Sequence, residues 1–181
     1  KSGLSASDVI PVYNQYSSLC RVLSGFTLQN IDRESFEIII VDDGSSDELC
    51  GTRSEALILE YGLDVQLIHQ PNMGRSAARH KGIASAKSGI VIFCDGDRVP
   101  DRRFVSQHLK AHGEGKRIVI GSPYDFFGKQ ELIGTEGIDW EYVQKFSRLP
   151  PYFKKVKTLF DESRTTGSKL SWLCFLVGNS S

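Results

Sequence analysis

Two short acidic turns carry the side chains of this sequence that are best suited to chemistry. Asp95 and Asp97 come directly after an apolar run, and so do Asp42 and Asp43. Side chains at positions i and i+2 of an extended chain point to the same side, so Asp95 and Asp97 can converge on one point. Ligands of α/β proteins bind beyond the carboxyl ends of the strands. Four acids at two such ends therefore predict a metal ion and a polar ligand.

The Asp95-Gly96-Asp97 triplet has a composition that suits a hard divalent cation. Mg²⁺ and Mn²⁺ typically take one or two protein carboxylates, and water and phosphate oxygens complete the shell. A diphosphate that faced these acids without a metal would be repelled by roughly 4 kcal/mol per charge pair, at about 4 Å and an effective dielectric constant of about 20. We therefore expect Mn²⁺ or Mg²⁺ wherever phosphate binds here. The structural alternative is an acidic turn that only caps the next helix.

The Asp42-Asp43 turn has a second possible role in binding a base. Ser46 or Asp47 could cap the following helix, but that role needs only one acid. A carboxylate at a strand end can accept the imide N–H of a pyrimidine base, so one of the pair is a candidate to recognise it. Further along, Asn72-Met-Gly-Arg-Ser-Ala-Ala-Arg-His80 predicts a helix whose N-terminus favours anions. There Arg75 or Arg79 could bind a base, a phosphate or an Asp, and a purely structural salt bridge remains open.

Strands and helices alternate over the first 120 residues. We expect strands over residues 9–12, 36–42, 65–69, 90–94 and 117–121. We expect helices over residues 16–28, from Ser46 or Asp47 to about Tyr61, and over residues 74–87 and 101–112. This alternation predicts an α/β fold with a mostly parallel central sheet flanked by helices on both faces. Residues 123–168 lack the alternation and suggest a long surface excursion that acts as a lid or acceptor surface, with a helix near 138–147 and a break at Pro150-Pro151.

Composition excludes several classes of function. The 181 residues carry 22 basic and 22 acidic side chains, so no net charge favours nucleic acid, and we expect no nucleic-acid partner. No run reaches the roughly 18 apolar residues of a membrane span. We expect a cytoplasmic domain, which only regions outside this chain could hold at the cytoplasmic face of a membrane. The four cysteines form no metal-binding cluster and suggest core residues in a reducing compartment, namely Cys20, Cys50, Cys94 and Cys174.

Four motifs in order resemble those of the family-2 glycosyltransferases with the GT-A fold. They are Ile10-Pro-Val-Tyr-Asn14, Val41-Asp-Asp-Gly-Ser45, Asn72-x-Gly74 with Ala78-Arg79, and Asp95-x-Asp97. The match covers roughly residues 9–121. The resemblance implies a GT-A (Rossmann-like) fold and the metal-dependent, inverting transfer of a sugar from a nucleotide-diphosphate donor, most often a UDP-sugar. It implies an acceptor hydroxyl on a glycan, lipid or small molecule, in polysaccharide or glycoconjugate biosynthesis.

The resemblance also implies roles for individual residues of this chain. Pro11 and Tyr13 match the segment that packs against the base. Asp43 matches the residue that recognises uracil, and Asp42 supports it. A further set matches the rest of the donor site: Arg79 an arginine near the nucleotide, Asp95 the acid facing the ribose and sugar, Asp97 the metal ligand, and Gly178-Asn179 the segment near the donor sugar and acceptor.

The sequence departs from the family pattern at two places. Arg98 follows the acidic triplet where a small, polar or apolar residue is more usual. The catalytic base of the family, an Asp or Glu, comes shortly after the Gly-Asn segment, so here it is expected beyond Ser181. We therefore expect residues 1–181 to be a single domain truncated on its C-terminal side, with a nucleotide-binding half at 1–121 and the start of the acceptor side at 122–181. Earlier acids receive no catalytic role: Glu131, Asp139, Glu141 and Asp161.

Three other classes of protein compete with this interpretation. A sugar-nucleotide nucleotidyltransferase should carry a Gly-rich basic loop after its first strand, where this chain has Tyr13-Asn-Gln-Tyr16. A phosphoacceptor receiver domain should have its acidic pair after the first strand, whereas here the pair follows the second. A noncatalytic module that keeps the nucleotide-sugar pocket but lacks turnover fits the sequence of residues 1–181 as well as the enzyme does.

Overall fold

The computed structural model describes residues 3–46, 60–113, 118–129, 133–134 and 137–166. The expected helix after Ser46 falls largely outside these residues, and so does Gly178-Asn179. The chain divides into two compact units, which are described separately. The first unit comprises residues 1–117 and 131–138, and the second comprises residues 118–130 and 139–181. The single domain expected over residues 1–181 stays a prediction.

The first unit is built on a four-stranded parallel sheet. Its strands are β1 (Ala6–Val12), β2 (Phe36–Asp42), β3 (Val65–His69) and β4 (Val91–Phe93), in the spatial order β3-β2-β1-β4. Every residue of β1 and β2 is buried, as expected for strands in the middle of a parallel sheet that is covered on both faces. The mostly parallel α/β sheet predicted from the sequence is confirmed. Because all four strands run the same way, their carboxyl ends lie at one edge of the sheet.

Helices cover both faces of this sheet. On one face, α1 (Tyr16–Thr27) buries Leu19, Val22, Leu23 and Phe26 against the strands. The helix α3 (Phe104–His112) adds Val105 to the same core. On the other face, α2 (Arg75–Ser85) places Ala78 against Val9, Ile39 and Val41. The apolar residues of α1 recur at three- and four-residue spacing, which is why one side of this helix faces the core.

Two buried acids lie inside the sheet away from its carboxyl edge. Glu37, at the start of β2, accepts hydrogen bonds from the Ser7 hydroxyl at 2.7 Å and the Lys87 N–H at 2.8 Å, and pairs with Lys87 Nζ at 2.8 Å. Burial would raise the pKa of Glu37, but Lys87 and Ser7 together lower it. Asp8, in β1, is fully buried, and neither of its carboxylate oxygens has a hydrogen bond within the described part of the chain. Burial alone raises the pKa of Asp8 well above its usual value.

Small antiparallel ribbons occur in both units. In the first unit, β6 (Ile133–Gly134) pairs with β7 (Gly137–Ile138). In the second, β5 (Asp125–Phe126) pairs with β8 (Ser147–Arg148). Between β5 and β8 in sequence lies α4 (Trp140–Lys145). Asp139 caps its N-terminus, and the Asp139 side chain accepts the Tyr142 N–H at 3.0 Å. The helix predicted near 138–147 is thus confirmed, with shorter bounds.

One prediction about local structure was wrong, and one helix was not predicted. Residues 118–121 form no strand, and Ile118 is 93% exposed, because an extended apolar run is stable only when another strand pairs with it. The predicted break lies where it was expected, because β8 ends at Arg148 and Pro150 has no regular structure. The helix α5 (Pro151–Thr166) then begins at the second proline, since proline is well suited to the first turn of a helix, where its missing N–H costs nothing. The surface excursion therefore contains a 16-residue helix.

Candidate functional site

The carboxyl edge of the sheet brings the predicted acidic turns into register. Asp43 N–H donates to the carbonyl of Val12 at 2.9 Å, which continues the pairing of β2 with β1 beyond the strand ends. On the other side of β1, the Cys94 N–H donates to the carbonyl of Val9 at 3.1 Å. The turns after β1, β2 and β4 therefore leave the same edge of the sheet, as the sequence predicted.

Asp43 is almost fully enclosed by donors from the chain. Its Oδ1 accepts the Gln70 side-chain amide at 2.7 Å and the Met73 N–H at 2.9 Å, and its Oδ2 accepts the Gly74 N–H at 2.8 Å. The residue is only 5% exposed. Burial would raise the pKa of Asp43, but the bonds from Met73, Gln70 and Gly74 outweigh it and lower the pKa, which keeps the carboxylate ionised. Asp43 therefore fixes the segment that leads into α2.

Asp42 closes the turn after β2 from the inside. Its Oδ1 accepts the Ser45 N–H at 3.0 Å, and its Oδ2 lies 2.9 Å from Nδ1 of His69. The Asp42 side chain is 3% exposed, whereas the His69 ring is about half exposed. Gly44, in the same turn, has a φ of 80°, and a Cβ there would lie 2.7 Å from the backbone nitrogen of Asn72. Glycine is required at that position for both reasons.

The turn after β1 is tied to the same acidic turn. The Asn14 N–H donates to Ser45 Oγ at 2.8 Å, and Asn14 Oδ1 accepts the Ser46 N–H at 2.8 Å. Asn14 adopts a φ of 52°, in the left-handed region that Asn tolerates better than most residues. Tyr13, next to it, is 49% exposed, so its ring is available to a ligand. Pro11 is buried within β1.

The turn after β4 leaves its two acids in solvent. Asp95 pairs with the Arg79 guanidinium at 2.8 Å and its side chain is still 50% exposed. Asp97 is exposed, and its carboxylate forms no hydrogen bond or ion pair within the part of the chain that the structure describes. The carboxylate oxygens of Asp97 thus remain available to an added cation.

Gly96 packs the turn against the sheet while the two acids on either side of it stay exposed. Gly96 itself is buried, and a Cβ there would lie 2.8 Å from Val12 Cγ1 and 2.9 Å from Gln15 Oε1. The Arg98 N–H donates to the carbonyl of Asp95 at 3.0 Å, which closes the turn. The backbone is therefore packed against β1 while the two carboxylates point away from the core.

The chemistry of these groups suits a divalent cation bound together with a ligand. Within the described residues, no three His, Cys, Asp or Glu side chains group closely enough to hold a metal by themselves. Mg²⁺ and Mn²⁺ do not need such a cage, because they commonly take one or two carboxylates and complete the shell with water and phosphate oxygens. Asp97 fits that requirement as an oxygen ligand, since no cation among the described residues forms an ion pair with it.

Several residues of the site had no assigned role in the sequence interpretation. Gln70, Met73 and Gly74 hold Asp43, His69 holds Asp42, and Asn14 holds Ser46. Asn14, Met73 and Gly74 were named beforehand only as members of motifs. All five act through backbone groups or common polar side chains, whose partners lie about 30 positions away in sequence. No local pattern could have identified those partners.

Arg79 resolves one of the alternatives that the sequence left open. It pairs with Asp95, and its guanidinium carbon lies 5.8 Å from the centroid of the Phe93 ring. Arg75, at the first position of α2, is exposed.

Of the four cysteines, Cys20 and Cys94 are free, and Cys50 and Cys174 lie outside the described residues. Burial, reinforced by the negative charges of Asp8, Asp95 and Asp97, raises the pKa of Cys94 well above its usual value, so its thiol stays neutral.

Comparisons with known proteins agree on one family. The family model described as glycosyl transferase family 2 matches residues 7–169. The glycosyltransferase YfnE of Bacillus subtilis is 32% identical over 120 residues, which cover 65% of this chain and 29% of YfnE. The chain thus spans less than a third of that relative.

Two solved structures share the fold. S. aureus TarS 1-349 in complex with UDP-GlcNAc has a TM-score of 0.52 at 20% identity, over 65% of this chain and 37% of TarS. The mannosyltransferase PcManGT of Pyrobaculum calidifontis, in complex with GDP-Man and Mn²⁺, has a TM-score of 0.53 at 20% identity, over 61% of this chain and 32% of that protein. At this level of identity, the likeness supports the GT-A fold.

Proposed function

The chain belongs to glycosyl transferase family 2, and from that membership we propose that it transfers a sugar from a nucleoside-diphosphate donor, with UDP as the carrier, to an acceptor hydroxyl. The observation that carries the proposal is the exposed Asp95-Gly96-Asp97 turn at the same sheet edge as the bonded Asp42-Asp43 turn. One turn offers exposed carboxylates to a metal ion, which would in turn bind phosphates. The other offers a fixed carboxylate to a base. The two solved neighbours hold donors of this chemical class, which supports the proposal.

The residues of the site hold different parts of the donor. Asp43 accepts a hydrogen bond from the base, and Asp42 with His69 keeps the turn in place. Tyr13 and Pro11 provide the surface against which the base packs, and here the exposed ring of Tyr13 contributes the larger contact. Binding energy from base and ribose orients the anomeric carbon relative to the acceptor, which removes part of the entropic barrier.

The Asp95-Gly96-Asp97 turn would hold the metal ion that offsets the negative charge of the diphosphate. Asp97 would ligate Mn²⁺ or Mg²⁺, and Asp95, held by Arg79, would face the ribose and sugar. A bound divalent cation would neutralise the negative charge that develops on the leaving diphosphate. Without such a counter-charge, the carboxylates of this turn would repel the donor.

The proposed reaction inverts the configuration at the anomeric carbon. The acceptor hydroxyl attacks as the bond to the diphosphate oxygen breaks, and a carboxylate takes the hydroxyl proton. We place that base beyond Ser181, and Gly178-Asn179 near the donor sugar and acceptor. The acceptor is a glycan, lipid or small molecule. None of the helices described is long and apolar enough to cross a membrane. Cytoplasmic location and association with a membrane face through other regions stay predictions.

The test of the function is a calorimetric titration of UDP in the presence of Mn²⁺ and, separately, of EDTA. We expect metal-dependent binding that Asp97→Ala abolishes. Asp64→Ala is the matched control, because Asp64 is also an exposed acid of the first unit but precedes β3, at the opposite edge of the sheet. Metal-independent binding, or equal losses in both variants, would contradict the role of Asp97.

A turnover assay separates the enzyme from a noncatalytic module that only binds the nucleotide sugar. It follows release of UDP from a panel of UDP-sugars with added acceptors. We expect a longer chain that includes the region after Ser181 to turn over, and residues 1–181 to bind without turnover. Sugar transfer by residues 1–181 alone would show that the base is not beyond Ser181. Binding without turnover in the longer chain would favour the noncatalytic module.

A further inference from the structure

We propose that Gln70 sets the base preference of the donor site by occupying one oxygen of Asp43, so that the carboxylate accepts the single imide N–H of uracil but not the paired donors of guanine. This inference rests on the proposed function, in which Asp43 recognises the base. It assigns a specificity role to a residue that follows the last position of β3.

The acceptor capacity of Asp43 is nearly exhausted by the protein itself. An ionised carboxylate has about four lone-pair positions, two on each oxygen. Oδ1 already accepts two hydrogen bonds, from Gln70 Nε2 at 2.7 Å and from Met73 N at 2.9 Å. Within the part of the chain that the structure describes, Oδ2 accepts one, from Gly74 N at 2.8 Å. One position on Oδ2 therefore remains for a ligand, and none remains on Oδ1.

Uracil and guanine make different demands on such a group. The imide of uracil presents one N–H between two carbonyl oxygens, so a single acceptor satisfies it. Guanine presents a ring N–H and an amino N–H side by side, and a carboxylate pairs with both only when each oxygen has a free position. With Oδ1 filled, the second donor of guanine would be left without a partner on this carboxylate, and an unpaired buried donor is costly.

Gln70 is the one donor to Oδ1 that a substitution can remove. Met73 donates through its backbone, which every residue except proline would retain. Gln70 donates through its side chain, and because an ionised carboxylate only accepts, the amide nitrogen must be the end that faces it. Its backbone N–H is fixed to the carbonyl of Asp42 at 2.9 Å, so the contact with Asp43 is built into the end of the sheet.

The location of Gln70 is compatible with contact to a base. Gln70 and Met73, the two donors to Oδ1, both line an open groove of about 550 Å³. The groove is completed by His69, Pro71, Ala77, His80 and Lys81. Gln70, which fills one oxygen of Asp43, therefore lies where a ligand can reach it.

The experiment compares the affinities of UDP and GDP for the full chain, each titrated with Mn²⁺, in wild type and Gln70→Ala. We expect wild type to prefer UDP. We expect Gln70→Ala to narrow the ratio of the two dissociation constants by about tenfold, mainly through tighter binding of GDP, since one hydrogen bond is of that size. The ratio is the informative quantity, because loosening of the segment before α2 would weaken both nucleotides together.

Two further variants keep the test interpretable. Gln70→Met keeps the length of the side chain and removes its donor, so it should change the ratio in the same direction even if Gln70→Ala folds poorly. Gln66→Ala, at an exposed glutamine of β3, the strand that Gln70 follows, is the matched control and should leave the ratio unchanged. Thermal melting of each variant confirms that folded protein is compared.

The outcomes separate this inference from the function on which it rests. A wild-type protein that binds GDP as tightly as UDP would overturn the inference and leave a nucleotide-binding protein. An unchanged ratio in both Gln70 variants would overturn it as well. Binding of neither nucleotide by folded wild type would instead contradict the proposed function, and the inference would fall with it.

Discussion

The Asp42-Asp43 turn and the Asp95-Gly96-Asp97 turn leave the same edge of the sheet and use their carboxylates in opposite ways. In the first turn, both acids are buried and together meet four N–H donors and the His69 ring. In the second, both acids are exposed. Among the described residues, their carboxylates form one ion pair, between Asp95 and Arg79. The same local pattern, acids after an apolar strand, thus yields one scaffold and one open binding group.

The difference follows from what packs against each turn. Residues 70–74 lie over the first turn and supply it with donors, so its carboxylates spend most of their capacity on the chain itself. The second turn packs its glycine against β1 and leaves its side chains outside. Affinity for a cation therefore belongs to the second turn, while the first provides rigidity. The four predictions that follow test this contrast on one scale, the free energy of unfolding, from the largest effect to the smallest.

Asp43→Ala should have the largest effect. It leaves the N–H groups of Met73 and Gly74 and the amide of Gln70 without their shared acceptor, and we expect a loss of about 3 kcal/mol. Because the pKa of Asp43 is lowered by folding, this stability is present above about pH 4, the ordinary value in the unfolded chain, and is lost as the pH falls through the folded value. Urea unfolding at pH 7 and at lower pH measures both. A loss below about 1 kcal/mol at pH 7 would mean that the first turn is not a scaffold.

Asp8→Val should have the next largest effect, in the opposite direction. Asp8 is buried like Asp43, but among the described residues no group donates a hydrogen bond to its carboxylate. Its removal should therefore stabilise the protein by about 2 kcal/mol at pH 7. Folding raises the pKa of Asp8, so the unfolded chain releases this proton above about pH 4 while the folded chain keeps it. Stability therefore falls as the pH rises toward the folded value, and the variant should lack that slope.

Asp8→Asn is the control for this second prediction. It keeps a polar side chain of the same shape and removes only the titration. Thermal melting from pH 4 to 8 should show a flatter profile for both variants than for wild type. A wild-type profile as flat as theirs would mean that Asp8 meets a partner that satisfies it.

Gly96→Ala should cost about 1.5 kcal/mol, because the added methyl overlaps Val12 and Gln15 and moves the turn away from β1. The same shift displaces Asp97, so we expect metal-dependent binding of UDP to weaken more than stability does. Gly89→Ala is the control, since a Cβ at Gly89 meets nothing within 4 Å. Chemical denaturation and calorimetry on the two variants separate the effects. Unchanged binding in Gly96→Ala would mean that the position of the turn is not critical.

Asp95→Asn should have the smallest effect on stability, at most about 0.5 kcal/mol, because its pair with Arg79 is solvent-exposed and screened. Its effect should appear instead in donor binding, as a loss of affinity for a UDP-sugar that exceeds the loss for UDP alone. Arg79→Met should give the same pattern if the pair acts as a unit. A stability loss comparable to that of Asp43→Ala would erase the contrast between the two turns.

Much of the scaffold could be predicted from local patterns. The bounds of β2 and β3 were predicted correctly, because short segments rich in β-branched and apolar residues between polar turns favour strands. The strand predicted at 117–121 failed for a physical reason. Its residues have the same composition, but the stability of a strand depends on a partner that the local sequence does not specify. The helix α5 was missed because a proline pair can precede a helix as well as interrupt one.

The candidate site was predictable to a smaller degree. The positions of the acids after β2 and β4 follow from strand bounds and from the parallel sheet, and these the sequence contained. Their roles in the fold did not follow, because the donors to Asp43 come from residues 27 to 31 positions away. That Asp95 pairs with Arg79, and not with Arg75, depends on how α2 packs against the sheet.

The family of this protein, the four strands of its parallel sheet and the acids that end those strands could be inferred from the amino-acid sequence. These properties depend on short-range spacing and on the order of motifs along the chain. Which acids are consumed by the fold, and which are left for a ligand, depends instead on tertiary packing. The capacity of a carboxylate to bind depends on how many donors already surround it, and those donors are brought together by packing.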